Sequence, residues 1–345
     1  MKILSTALLL FAPLFLHAQK AQKDSLLLAD DLNQVVVTGT RTPKTLLNTP
    51  VLTRVITHAE IEKADATTLQ DMLQQSIPGV EFSYSMNQQR HMNFSGFGGQ
   101  SMLILVNGER LAGENMDDVD FDRLTLSNVD HIEIVKGPVS ALYGSNASGG
   151  VINIITKQNS KPFGLNVNAR IGKHNNQRYG LDWQQGGKRW SSLFDFSRTK
   201  VDNYNVESAA DPIANVISTI YGGETYNFKE QLTYDPWENL HLSGNAGYFY
   251  RQVKRSEDTP ERYRDYNAGL KASWKISGGD ELTGSYSFDQ YDKSNFQSIS
   301  KLDIRYYSNV QNAFRLLYNH SFNKGHILTM GADYLHDYLL NNRLN

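Results

Sequence analysis

Cysteine is absent from the 345 residues. That excludes a disulfide framework and a lipid-modified N-terminal cysteine. Surplus charge is also missing: the formal net charge is −2, which gives no support for nucleic-acid binding. Beyond the extreme N-terminus no segment approaches the roughly 18 consecutive apolar residues of a membrane-spanning helix. The frames of common enzymes are absent as well, with no serine elbow, no HExxH and no paired carboxylates in a recognisable setting. The histidines are dispersed. The chain is therefore read as a non-enzyme without a resident cofactor.

What is present begins with an export signal at residues 1–18. Lys2 supplies the positive start, residues 3–16 form an apolar core broken by Ser5, Thr6 and Pro13, and Leu16, His17 and Ala18 form a cleavage site. The apolar run is too short to anchor the chain in a bilayer, so the mature protein starts near Gln19. The mean hydropathy of −0.47 would ordinarily mark a soluble protein. That inference fails for a membrane barrel, where half of each strand faces water or protein. Eighteen tyrosines and fifteen phenylalanines suit the aromatic girdles of such a barrel. A soluble all-β protein shares this composition, so strand pattern decides.

From residue 163 onward the chain alternates with period 2 over long stretches. Tyr266, Ala268, Leu270, Ala272, Trp274 and Ile276 fall on one face, with Asn267, Gly269, Lys271, Ser273 and Lys275 on the other. Leu240, Leu242, Gly244, Ala246, Tyr248 and Tyr250 oppose His241, Ser243, Asn245 and Arg251, and Leu328, Met330, Ala332 and Tyr334 oppose Thr329, Gly331 and Asp333. Strands of about ten residues that are apolar outside and polar inside are the membrane-barrel pattern, whereas soluble strands run about five or six. Nine strands are expected, starting near 163, 177, 188, 225, 239, 263, 281, 304 and 326. Tight turns at 185–188, 235–238, 277–280 and 323–325 alternate with longer polar links at 202–224, 254–262 and 293–302, and 173–176 is a short exception.

Residues 129–157 read VDHIEIVKGPVSALYGSNASGGVINIITK. Two apolar strands flank a Gly/Ser/Ala/Asn-rich excursion, in which Gly137-Pro138 and Gly149-Gly150 supply φ freedom and fixed turns. This stretch closely resembles the end of the plug domain of TonB-dependent outer-membrane receptors, with Lys136 where arginine is usual. Residues 71–80 (DMLQQSIPGV) and 105–110 (LVNGER) resemble further plug segments. Local signals agree with a small α/β unit. A strand is expected at 52–57, a helix led by Thr57 or His58 with Glu60 and Glu62 in its first turn, and a second helix after residues 65–68 that stops before Pro78. Strands follow at 80–85 and 102–106, with a turn at Asn107-Gly108.

The resemblance implies a fold class of an α+β plug domain followed by antiparallel transmembrane β-barrel strands. It also implies roles. Gln34, Val35, Val36, Val37 and Thr38 look like the TonB box, a short β-prone run able to pair with a strand of TonB. The polar segments 85–91 and 112–118 are expected to be loops that touch the substrate, making Gln89, Arg90, His91, Asn115 and Met116 the candidate ligand contacts. Arginine pairs with carboxylates or phosphates and imidazole ligates haem iron, so His91 would be a metal ligand only for haem; the blander reading is a solvated loop histidine. Glu114, Asp117, Asp118, Asp120 and Asp122 are oxygen donors of the kind calcium takes, but without EF-hand spacing they read as a solvated face. Residues 96–101 lack the lysine and the following helix of a phosphate loop.

The organisation expected is signal 1–18, periplasmic linker with TonB box 19–39, plug 40–157 and the N-terminal part of a barrel at 163–345. Receptors of this family close with 22 strands, which need well over ~400 residues, so about nine strands read as a fragment. The resemblance implies TonB-dependent active transport of haem, an iron–siderophore or, next, cobalamin, in the outer membrane of a Gram-negative bacterium. Its partners would be TonB with ExbB and ExbD, outer-membrane lipid and the nutrient. The alternative is a fragment that does not transport and acts at most as a ligand- or TonB-binding module.

Overall fold

The computed structural model describes residues 35–39, 44–49, 51–84, 90–97, 101–113, 119–137, 139, 143, 147–158, 162–207, 216–323 and 326–342. The expected signal, most of the linker including Gln34, and Gln89, Asn115 and Met116 lie outside the described residues.

The N-terminal domain contains β1 (Val35–Val36), β2 (Lys44–Thr45), β3 (Thr53–Ile56), helices α1 (His58–Ala64) and α2 (Leu69–Ser76), β4 (Val80–Tyr84), β5 (Arg90–Phe94), β6 (Met102–Val106), β7 (Glu109–Arg110), β8 (Val129–Lys136) and β9 (Gly150–Thr156). Its centre is a five-stranded sheet in the order β3-β8-β9-β6-β7, parallel only between β6 and β9. Apolar side chains cover both faces. Ile104, Ile132, Ile134 and Ile152 pack with Leu69, Met72 and Leu73 of α2, while Leu103, Leu105, Val135 and Val151 pack on the other side. A two-sided core accounts for continuous apolar runs such as β6. Both helices start in capping boxes, Thr57 with Glu60 and Thr68 with Asp71.

The excursion between β8 and β9 depends on its glycines. Gly150 has φ 145°, and a Cβ there would fall 2.4 Å from the Val135 carbonyl oxygen. Gly149 is needed for close approach instead, since a Cβ would meet that of Phe97 at 2.8 Å. Lys136 sits over the Phe94 ring at 5.4 Å, a contact that needs charge but no bidentate geometry. One expectation is corrected. Arg90 and His91 are strand residues rather than loop residues, paired with Tyr84 and Ser83. The cause is the alternation of Met92 and Phe94, both buried in the core, which draws this segment onto β4.

The second part is a wall of antiparallel strands. It comprises β10 (Phe163–Gly172), β11 (Asn176–Gly186), β12 (Trp190–Val201), the hairpin β13 (Tyr204–Glu207) and β14 (Val216–Ile220), then β15 (Gly223–Trp237), β16 (Leu240–Val253), β17 (Glu261–Ser277), β18 (Asp280–Phe296), β19 (Asp303–Asn323) and β20 (His326–Asn341). Nine of these form one sheet in chain order, with the β13–β14 hairpin set aside. The nine strands match the expectation, and the hairpin within the polar link is an addition to it. Leu270 and Trp274 are exposed on the outer face at 67% and 46%, while Asp265, Asp289 and Asn309 are buried on the inner face. At the short link, His174 and Asn175 both have positive φ and Asn176 N–H donates to the Lys173 carbonyl, the primed turn that suits a two-residue hairpin. Among the described residues no helix is long and apolar enough to cross a membrane, which leaves crossing by strands untouched.

Candidate functional site

The N-terminal domain packs on the inner face of the wall, and polar ties hold it there. Arg123, almost fully buried, places Nη2 2.9 Å from carboxylate oxygens of Asp265 (β17) and Asp289 (β18). Asp289 also accepts the Ala112 N–H at 2.8 Å, and Asn309 of β19 accepts the Gly113 N–H at 2.6 Å. Gly113 has φ 84° and lies so close to Tyr291 that a Cβ would meet the ring at 2.5 Å. Next along, Arg251 of β16 bridges Asp120 at 2.9 Å and Asp122 at 2.5 Å. Arg90 contacts Asp122 from the other side at 2.8 Å, and the Tyr291 hydroxyl donates to Asp120 at 2.6 Å.

Electrostatics follow from this packing. Burial would raise the Asp122 carboxyl, but the guanidinium groups of Arg90 and Arg251 override it and hold Asp122 well below the usual carboxylate range. Burial opposes the charge on Arg123, yet the facing carboxylates of Asp265 and Asp289 keep it firmly protonated. Asp120 and Asp122 are therefore counterions in an interface, which corrects their reading as a solvated face. Glu114, Asp117 and Asp118 lie outside the described residues, and among those described no cluster of three or more His, Asp or Glu is arranged to hold a metal.

Between the domain and the wall lies a cavity of about 1390 Å³. Its lining includes Arg90, Asp120 and Asp122 from the domain, and Arg178, Arg251, Tyr263, Tyr291, Lys293 and Tyr307 from the wall. The strand ends that border it, near Val201, Gly223, Val253 and Glu261, are those joined by the longer links.

A separate tie fastens the N-terminal strand. Thr38 is fully buried. The Glu133 carboxylate of β8 accepts the N–H of Val37 at 3.1 Å, the N–H of Thr38 at 2.7 Å and the Thr38 hydroxyl. Asn153 donates to Thr38 Oγ1 at 2.9 Å, and the Tyr143 hydroxyl donates to the Thr38 carbonyl at 3.0 Å.

With this geometry in view, residues 45–151 match the family model of the TonB-dependent Receptor Plug Domain. Residues 45–151 are thus a TonB-dependent receptor plug domain. Over 173 residues, 50% of its length, the chain is 35% identical to the vitamin B12 transporter BtuB of Vibrio cholerae serotype O1, of which that stretch covers 26%. BtuB of Vibrio vulnificus is 33% identical over 160 residues, 46% of the chain and 25% of the relative. The chain thus spans about a quarter of the length of the curated relatives it matches. Among solved structures, the siderophore receptor PiuA from Acinetobacter baumannii superposes with a TM-score of 0.68 at 16% identity, over 89% of this chain and 48% of that one. The copper transporter OprC gives 0.66 at 17% identity, over 86% and 49%. At such identity the likeness is one of fold: a plug seated against antiparallel barrel strands.

The expected site residues separate in the structure. Val35 and Val36 pair with Thr45 and Lys44, and Val37 and Thr38 are bound to Glu133. Arg90 lines the cavity, engaged with Asp122, whereas His91 pairs with Ser83 one position along β5 and does not line it. Sequence reasoning misses the wall's contribution: Arg178, Arg251, Tyr263, Tyr291, Lys293 and Tyr307. A signal for it exists, because these side chains are large or charged groups on the inward phase of otherwise regular strands.

Proposed function

We propose that the chain serves energy-driven import of a bulky metal-carrying nutrient across the outer membrane of a Gram-negative bacterium, with no chemistry performed on the cargo. Haem or an iron–siderophore is the favoured cargo class. In this reading residues 1–18 direct export and 19–39 carry the TonB box, with Gln34, Val35, Val36, Val37 and Thr38 meeting TonB, itself energised by ExbB and ExbD. The plug occupies 40–157, and 163–345 is the first part of the barrel, its outer face in lipid. Gln89, Arg90, Asn115 and Met116 are the proposed plug-side ligand contacts; His91 is not among them, because it does not line the cavity.

The observation that carries this reading is the cavity between plug and wall, bordered by the long-link ends of the strands and lined by both parts. Arg178 and Lys293 beside Tyr263 and Tyr307 suit a ligand that is anionic and aromatic, through charge-assisted hydrogen bonds and stacking. Titration of the folded protein in detergent with hemin, a ferric catecholate and cyanocobalamin, followed by visible absorbance, tests it. Saturable binding of one iron compound is expected, weakened about tenfold or more by Arg178→Ala, the loss of one charged hydrogen bond. Absence of saturable binding by all three compounds overturns the reading. Cobalamin is the second reading, favoured by the 35% identity to vitamin B12 transporters, and its arm of the titration decides between them.

A further inference from the structure

Glu133 is 1% exposed and lies within β8, the second strand of the central sheet, paired on one side with Val55 of the edge strand β3 and on the other with Asn153 of β9. A buried carboxylate in an otherwise apolar strand (its neighbours Ile132, Ile134 and Val135 are all in the core) is costly unless its lone pairs are used. Here they are used almost wholly on the N-terminal strand, through the N–H groups of Val37 and Thr38 and the Thr38 hydroxyl. His131 Nε2 steadies the other oxygen at 3.2 Å. Asn153 and Tyr143 close on Thr38 from β9 and the excursion. Thr38 is thereby clamped to the middle of the sheet, although residues 39–52 still separate it in sequence from β3.

We propose that Glu133 is the point at which a pull on the N-terminal strand enters the plug, a positioning residue for energy coupling that rests on the import reading. The covalent path from Val35 reaches the sheet only at β3, its edge strand. The clamp offers a shorter path, from Thr38 into β8. The β1–β2 pairing of Val35 with Thr45 and Val36 with Lys44 shares the load until it parts, and from then on the clamp carries it. The strand that receives the load continues backward through residues 124–128 to Arg123, which binds the wall, and Asp122, which binds the wall and borders the cavity. One continuous segment thus joins the N-terminal clamp to the floor of the cavity. When the clamp yields, about 14 residues of slack, some ~5 nm of chain, are released before β3 is loaded.

Single-molecule pulling on the folded protein in outer-membrane vesicles, through a handle at its N-terminus, tests the proposal without TonB. Wild type is expected to show a first rupture that lengthens the chain by ~5 nm, followed by the rupture of the sheet. In Glu133→Ala the first event weakens most, held only by Asn153 and Tyr143, and later ones keep their force. Thr38→Val, which leaves β8 intact, lowers the first rupture force without abolishing it. An unchanged first event in both variants overturns the clamp, and so does a uniform weakening of every event, which would mark Glu133 as merely structural. Failure of the import reading is recognised separately, by TonB failing to bind a peptide of residues 33–39.

Discussion

The plug is fastened at two places built on opposite principles. Near the cavity, Arg123, Arg251 and Arg90 interlock with Asp120, Asp122, Asp265 and Asp289, so charge is balanced only while the whole lattice stands. At the N-terminus a single carboxylate, Glu133, gathers donors from the backbone and hydroxyl of a two-residue segment. Removing one partner from the first leaves charge buried and uncompensated. Releasing the second uncovers N–H groups that water can satisfy and leaves Glu133 with His131 alone of its partners. The wall-side tie is therefore all-or-none, while the N-terminal tie can open without the plug leaving the wall.

The largest expected effect comes from attacking the lattice. Arg123→Met keeps the volume but leaves Asp265 and Asp289 facing one another without a cation, at a cost of about 3–5 kcal/mol for breaking a buried ion pair. Hydrogen exchange of residues 119–124 reads the local loss, and an acceleration of at least ~100-fold corresponds to it. Exchange within a few-fold of wild type would mean that packing alone holds the plug, and the contrast between the two ties would collapse.

A smaller effect, of defined sign, is expected from pH at the N-terminal tie. Burial favours the neutral Glu133, but its hydrogen bonds from His131, Thr38 and Val37 override this and lower it from an ordinary 4.5. Burial likewise opposes the His131 charge, yet the carboxylates of Glu133 and Asp130 raise it above an ordinary 6.5. A depressed acid contributes above its unfolded value and loses that contribution as pH falls through its folded value. A raised base contributes below its unfolded value and loses that contribution as pH climbs past its folded value. The tie is therefore tightest between about pH 4.5 and 6.5 and loosens on both sides. Anisotropy of a fluorophore at Leu47, an exposed position in the 39–52 segment, should peak in that window, and His131→Ala should remove only the alkaline limb. A flat profile breaks the assignment of Glu133 as the hub.

Much of the architecture is legible in the amino-acid sequence. Period-2 alternation over ten or more residues needs no knowledge of partners, so β16, β17 and β20 can be placed with the correct face outward. Thr57 with Glu60 marks a helix start locally, and the 137–150 excursion declares itself by its glycines. The short strands escape: β5 and the β13–β14 hairpin span four or five residues each, too few for a periodic signal to rise above polar loop composition. The ties escape for another reason. Arg123 and Asp289 are 166 residues apart, and nothing near either names the other. Asp120 and Asp122 look like solvent-facing acids until Arg251 arrives from β16, and Thr38 looks like the end of a valine run until β8 places Glu133 beneath it.

The mildest perturbation sharpens the comparison by touching neither tie. Thr57 caps α1, with its hydroxyl accepting the Glu60 N–H at 3.2 Å and its own N–H reaching the Glu60 carboxylate at 2.8 Å. Thr57→Ala removes half of that box at about 1 kcal/mol, and a helix of only seven residues has little intrinsic stability with which to absorb the loss. Exchange of the α1 amides should rise about fivefold, while exchange at 119–124 and anisotropy at position 47 stay at wild-type values, because separated sites contribute independently. If either tie loosens along with the cap, both report the stability of the whole plug, and the N-terminal tie has no separate opening of its own.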